Sequence, residues 1–230
     1  MNAASDLPTG DEGYIGIDAR RTDTGKRHMP ENKKVPNNLM HFILTRLEDI
    51  VGWDGTNAIL KYAGADRFIC NYPPNDFNMV ESMDTFYAIA YALMDLYGEN
   101  GYLALLRGVG VQTFSAMIRE LPWFFEVEDG AMDGLSPKEQ FKLMYRTYSE
   151  KWTSTVGINS TLEFLDDRII DTSPECTNCR GLTSTKPICI HIVDFYRGMA
   201  KHLNVKDVKI EEVRYKAMGD DVCQFVTTFL

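Results

Sequence analysis

The segment Val208-Lys-Ile-Glu-Glu-Val-Arg-Tyr-Lys-Ala-Met-Gly-Asp-Asp-Val-Cys-Gln-Phe225 decides how the chain is read. Its spacing predicts two strands, about Val208–Met218 and Val222–Phe229, joined at Gly219-Asp220-Asp221. Working back from this hairpin, Pro187 opens a helix with Ile188, Ile192, Phe195, Met199 and Leu203 on one face. Further back, Thr161–Leu165 and Asp167–Thr172 alternate well enough to form an antiparallel pair, with Asp166-Asp167 near the turn. The C-terminal part therefore reads strand–strand–helix–strand–strand.

The part before it reads as helices. Leu39, Phe42, Ile43, Leu47 and Ile50 recur at helical spacing, and Asn37 or Asn38 can cap the start. A second helix is expected from Gly55 to Tyr62, stopped by Gly64, and a third over residues 83–97, broken by Gly98-Glu-Asn-Gly101. A fourth runs from about Tyr102 to Leu121, with Gly108 and Gly110 marking close packing or a kink. Ser136-Pro137-Lys-Glu139 is a capping-box start for a helix reaching about Trp152. The fold class is α+β: N-terminal helices packed on a four-stranded antiparallel sheet with a crossing helix. Residues 1–37 are polar and read as a disordered tail with basic spots at Ala19-Arg-Arg and Gly25-Lys-Arg-His, either a solvated linker or a docking peptide. Residues 38–230 read as a single domain, with a helical half (38–153) and a strand-containing half (155–230).

Composition narrows the function. A net charge of −9 argues against a nucleic-acid coat and against loose attachment to anionic membranes. No apolar run approaches the roughly 20 residues of a membrane helix, and no leader is visible, so a cytoplasmic protein without a membrane span is expected. Cys176, Cys179, Cys189 and Cys223 crowd the C-terminal part, and clustered cysteines in such a setting indicate a metal or redox site more than a disulfide frame. There is no Walker motif, no Gly-x-Ser-x-Gly and no nucleophile–base spacing, so the sequence leans away from an enzyme.

Four pieces together resemble a 4-vinyl-reductase domain: Glu175-Cys176-Thr-Asn-Cys179, Pro187-Ile-Cys189, Phe195-Tyr-Arg-Gly198 and the closing hairpin through Phe225. The resemblance spans roughly residues 155–230. It implies a fold shared with subunits of the TRAPP transport complex and with phenol-sensor domains. In those relatives helices and sheet enclose an apolar pocket, and the domain often dimerises. It also implies a zinc site of three cysteines and one glutamate, which maps onto Cys189, Glu212 and Cys223. The fourth position falls on Tyr215, a poor zinc ligand.

Two readings of the cysteines stay open. One is a Cys176/Cys179/Cys189/Cys223 zinc site, with Glu212 as an alternative ligand; the other is a set of reduced, partly buried thiols. His191, two residues from Cys189, is either an outer-shell donor or an ordinary histidine. Trp123, Phe124, Phe125, Tyr145 and Trp152 are candidate ligand-binding aromatics. The functional expectation is a module that binds a small hydrophobic molecule and acts as regulator or carrier through a partner, as a homodimer or within a complex. The alternatives are a structural subunit of a larger assembly, or a non-catalytic accessory in chlorophyll-type tetrapyrrole synthesis.

Overall fold

The structure, a computed structural model, describes residues 34–126 and 129–230. The basic spots near Ala19 and Gly25 lie outside the described residues. Residues 34–36 form β1 (Lys34–Pro36), paired antiparallel with β2 (Met79–Ser82). The sequence hides this small ladder, because its strands have three and four residues and no room for a periodic signal.

Helix α1 (Asn37–Tyr62) and helix α2 (Met83–Glu120) each bend once, at Gly52 (φ 76°) and Gly98 (φ 64°). Gly98 leaves helical geometry (φ 64°, ψ 177°), so α2 consists of two helical segments joined at a kink where the break was expected. Asn37 and Asn38 do not cap α1 from outside; they lie in its first turn, where their N–H groups donate to the carbonyls of Asn78 and Asp76. Ser136 caps α3 (Pro137–Val156) with the full capping box, and Gly157 closes it in the left-handed region.

The second sheet has the order β3 (Thr161–Phe164), β4 (Arg168–Ser173), β6 (Cys223–Phe229), β5 (Val208–Arg214), all antiparallel. Helix α4 (Ile190–His202) lies between β4 and β5 in the chain. The observed hairpin strands are shorter than expected, because Lys216–Met218 winds into a short helical turn ending at Gly219. There the Asp220 carboxylate accepts the Tyr215 N–H at 2.6 Å, fixing the turn.

Strand periodicity puts Ile169, Ile210, Cys223 and Phe225 on the buried face, packed into one core with α1, α2, α3 and α4. That same face buries Asp171, Glu212 and Thr227. Polar residues on an apolar face cost energy unless paired, so they mark where the sheet does more than pack.

Helices α2 and α4 press together at two glycines. A Cβ on Gly110 would sit 2.6 Å from the His191 carbonyl oxygen, and one on Gly198 would sit 3.0 Å from the Phe114 side chain. The glycine in Phe195-Tyr-Arg-Gly198 is thus a packing requirement of this helix crossing.

Candidate ligand cavity and cysteine cluster

A cavity of about 150 Å³ lies between the helices and the sheet. Leu39 and Ile43 of α1 and Val109, Gly110, Thr113 and Met117 of α2 form one side. Tyr148, Ser149 and Trp152 of α3 form another, and Asp171, Ser173 and Phe225 form the sheet floor. His191, Ile192, Phe195 and Tyr196 close it from α4, and Cys176-Thr177-Asn178 closes it from the loop after β4. Most of this wall is apolar, as small-molecule sites usually are.

Among its polar groups, Asp171, Ser149 and Tyr196 are buried and most of the rest are half-buried. Asp171 is 5% exposed, and its Oδ2 accepts from Tyr145 Oη at 3.0 Å and Tyr196 Oη at 3.2 Å. The two rings stack at 4.1 Å, which fixes both hydroxyls. Burial raises the Asp171 carboxyl above the ordinary range, opposed by the hydroxyls of Tyr145, Ser160 and Tyr196. No well-formed hydrogen bond reaches Asp171 Oδ1. His191 Nδ1 also has none, and burial lowers the ring to about 4, so the imidazole is neutral. Two buried polar atoms without partners therefore belong to residues lining one cavity.

The four clustered cysteines meet beside it. Their Sγ atoms all lie within 4.8 Å of one another and all four residues are buried. Cys179 and Cys223 are 3.3 Å apart, Cys176 and Cys189 3.5 Å. Glu212 stands next to the cluster, where its Oε2 accepts the Cys189 N–H at 3.3 Å. The loop carrying Cys176 and Cys179 is tied down from α2: Tyr102 Oη donates to the Asn178 carbonyl and Tyr91 Oη to the Arg180 carbonyl. Glu99, just past the bend at Gly98, accepts from Ser184 Oγ and from the N–H and Oγ1 of Thr185.

Of the aromatic candidates, Trp152 lines the cavity and the others do not. Phe124 and Phe125 are buried, with Phe125 stacked on Tyr148 at 5.5 Å; Trp123 packs on Phe77 and is 37% exposed. Phe124 and Phe125 form the layer behind the wall, while Trp123 stays at the surface. Tyr145 is one step removed and acts through Asp171. Reading residues by type missed Asp171, Tyr196 and the cavity role of His191. A usable signal existed: Asp171 is in phase with Ile169 on a strand whose other buried position is apolar.

The arrangement is that of the H-NOX fold. One similar solved structure is an oxygen-binding H-NOX domain related to soluble guanylate cyclases, in its oxygen complex: 16% identity, TM-score 0.53, covering 84% of this chain and 94% of that one. Another comes from work on heme distortion in the H-NOX family (16%, TM-score 0.54, 84% and 94%). A third concerns heme redox potential modulated by porphyrin distortion (17%, TM-score 0.52, 84% and 97%). No family model and no curated protein sequence matches the chain. At this identity the likeness establishes the fold.

It also corrects the resemblance. The structural neighbours are H-NOX domains, not 4-vinyl-reductase domains or TRAPP subunits, and the hydrocarbon-binding expectation that came with that resemblance falls with it. The misleading pieces are local. Gly198 answers a helix crossing and Asp220 fixes a turn, demands that do not specify one family. Zinc as the expected cofactor is corrected too, since the group described in these neighbours is heme. Among the described residues no helix is long and apolar enough to cross a membrane.

Proposed function

We propose that this chain is a ligand-binding regulatory module whose cavity takes one small, uncharged, ring-sized molecule bearing a hydrogen-bond donor. The observation that carries this reading is the pair of buried atoms without a well-formed hydrogen bond, Asp171 Oδ1 and His191 Nδ1, on a mostly apolar lining. An unpaired buried polar group costs about 1–3 kcal/mol, and a ligand that pairs it recovers that energy. The size agrees with a ring, since an engineered apolar cavity of about 150 Å³ binds benzene.

Heme, the group of the structural neighbours, does not fit this lining. Porphyrin-sized ligands need cavities of several hundred Å³, against about 150 Å³ here. Among the described residues no lysine or arginine lines the cavity to meet heme carboxylates, and Asp171 adds an acidic group. His191 is the histidine on the described lining that could meet the need for an iron ligand, with Cys176 offering a thiol on the same wall.

Indole and indene test the reading, because they share a shape and differ at the N–H. By calorimetry, one indole binds per chain and indene binds at least about 10-fold more weakly, a difference of about 1.4 kcal/mol. Asp171→Leu brings indole down to the level of indene. Equal affinities, or no binding of either by natively folded protein, would refute the proposal. Transmission of occupancy to a partner, in a homodimer or a larger assembly, belongs to the same proposal. Sedimentation with and without indole reads that part; a monomer in both states would oppose the homodimer.

A further inference from the structure

The four cysteines form a site distinct from the ligand cavity but in contact with its wall. Four features define it. First, the Sγ spacings, from 3.3 Å between Cys179 and Cys223 up to a limit of 4.8 Å, bracket the edge of a metal–thiolate tetrahedron. With bonds of about 2.3 Å that edge is about 3.8 Å. Second, no pair is at the bonding distance of a disulfide, roughly 2.05 Å, and the set is too compact to surround a multi-iron cluster. Third, the donors come from three separate elements: the loop after β4 (Cys176, Cys179), the residue preceding α4 (Cys189) and the start of β6 (Cys223). Fourth, the thiols contact one another, Cys176 with Cys189 and Cys179 with Cys223, and all four residues are buried. Thiols are weak hydrogen-bond donors, so four of them in mutual contact satisfy one another poorly.

We infer that Cys176, Cys179, Cys189 and Cys223 bind a single thiophilic metal ion that fastens the loop after β4 to α4 and the sheet. An all-sulfur tetrahedral set selects for such an ion over hard, oxygen-seeking cations. Glu212 is a positioning residue: it holds the Cys189 N–H and so sets where that thiolate points. The ion also shapes the cavity, because Thr177 and Asn178, between the first two ligands, lie on the cavity wall together with Cys176. This last consequence rests on the ligand reading above, whereas the metal site does not.

The experiment separates the two. Full-length protein purified without chelator is analysed by native mass spectrometry and by elemental analysis for thiophilic metals. One ion per chain is expected. Chelated protein should take up one Co²⁺ per chain, with thiolate-to-cobalt charge-transfer absorption and the ligand-field bands of a tetrahedral site. Cys223→Ser should weaken Co²⁺ binding by more than about 10-fold, and Cys70→Ser, at an exposed cysteine, should leave it unchanged. Glu212→Gln should weaken uptake while keeping the tetrahedral spectrum. Metal-free protein with a native circular dichroism spectrum and no Co²⁺ uptake would overturn the site, and so would disulfides pairing Cys176 with Cys189 and Cys179 with Cys223. Because uptake by the unmodified chain is read directly, a serine variant that fails to fold leaves the test intact. Indole affinity is then compared between metal-loaded and metal-free chains. A fall of about 10-fold on removal supports the coupling. An unchanged affinity refutes the coupling but not the metal site.

Discussion

Replacing Gly110 by alanine sets two physical effects against each other, and the sign of the outcome decides between them. Helix propensity alone favours alanine by about 1 kcal/mol in a helix interior. Sterics oppose it. The new Cβ would lie 2.6 Å from the His191 carbonyl oxygen and 2.8 Å from its Cα, whereas ordinary contact begins near 3.4 Å. The obstacle is backbone, so no rotamer relieves it, and α2 and α4 must separate by several tenths of an ångström. Overpacking costs about 1–3 kcal/mol, and two backbone contacts this short put it in the upper part of that range, about 2–3 kcal/mol. Set against propensity, a net loss of about 1–2 kcal/mol is expected, or roughly 2–8 °C in Tm at this chain length. Differential scanning calorimetry reads the shift. The separation also moves His191 and the start of α4, so indole binding should weaken in the same variant. A Tm equal to or above that of the unmodified protein would refute the close contact, and with it the placement of α4 against α2.

Asp171→Asn gives a pH signature. The folded-state pKa of Asp171 is raised, so folding is favoured while the group is protonated in both states and loses that contribution as pH climbs from the unfolded value through the folded one. The stability of the unmodified protein relative to the asparagine variant should therefore decline over that rise, measured by urea unfolding; a constant difference would count against the buried carboxyl. Tyr196→Phe removes one of the hydroxyls donated to Asp171 and should cost about 1–3 kcal/mol in the same assay at pH 7. A loss below about 0.5 kcal/mol, the range of ordinary surface changes, would mean that the hydroxyl is not needed there. Hemin titration followed in the Soret region should show no saturable complex. A stoichiometric band abolished by His191→Leu would instead restore heme as the ligand.

The elements with long, regular signals were legible. The capping box at Ser136 and the strand pair from Thr161 to Ser173 stand where their residue patterns put them, and the hairpin ending at Phe229 does so except for the turn at Lys216–Met218. The cysteine cluster was legible as a set of residue types, and the sheet and α4 bring all four members together. What stayed hidden depends on long-range placement. The β1–β2 ladder is too short to show a period. The cavity draws on α1, α2, α3, α4, the sheet and a loop, so no local window contains it. Trp123, Phe124 and Phe125 drew attention as a run of aromatics, yet such a run is equally what a core layer needs. Asp171 is easily overlooked because an acidic residue in a strand usually faces solvent; its phase with Ile169 hints at the inward face, and the sheet register sets it opposite Phe225.

A crystal of the chain soaked with indole tests the account most directly. The ring is expected in the cavity between α2, α3 and β4, with its nitrogen within hydrogen-bond distance of Asp171 Oδ1. Clear density showing that cavity empty at saturating indole, or a ring bound with its nitrogen turned away from both Asp171 and His191, would contradict it.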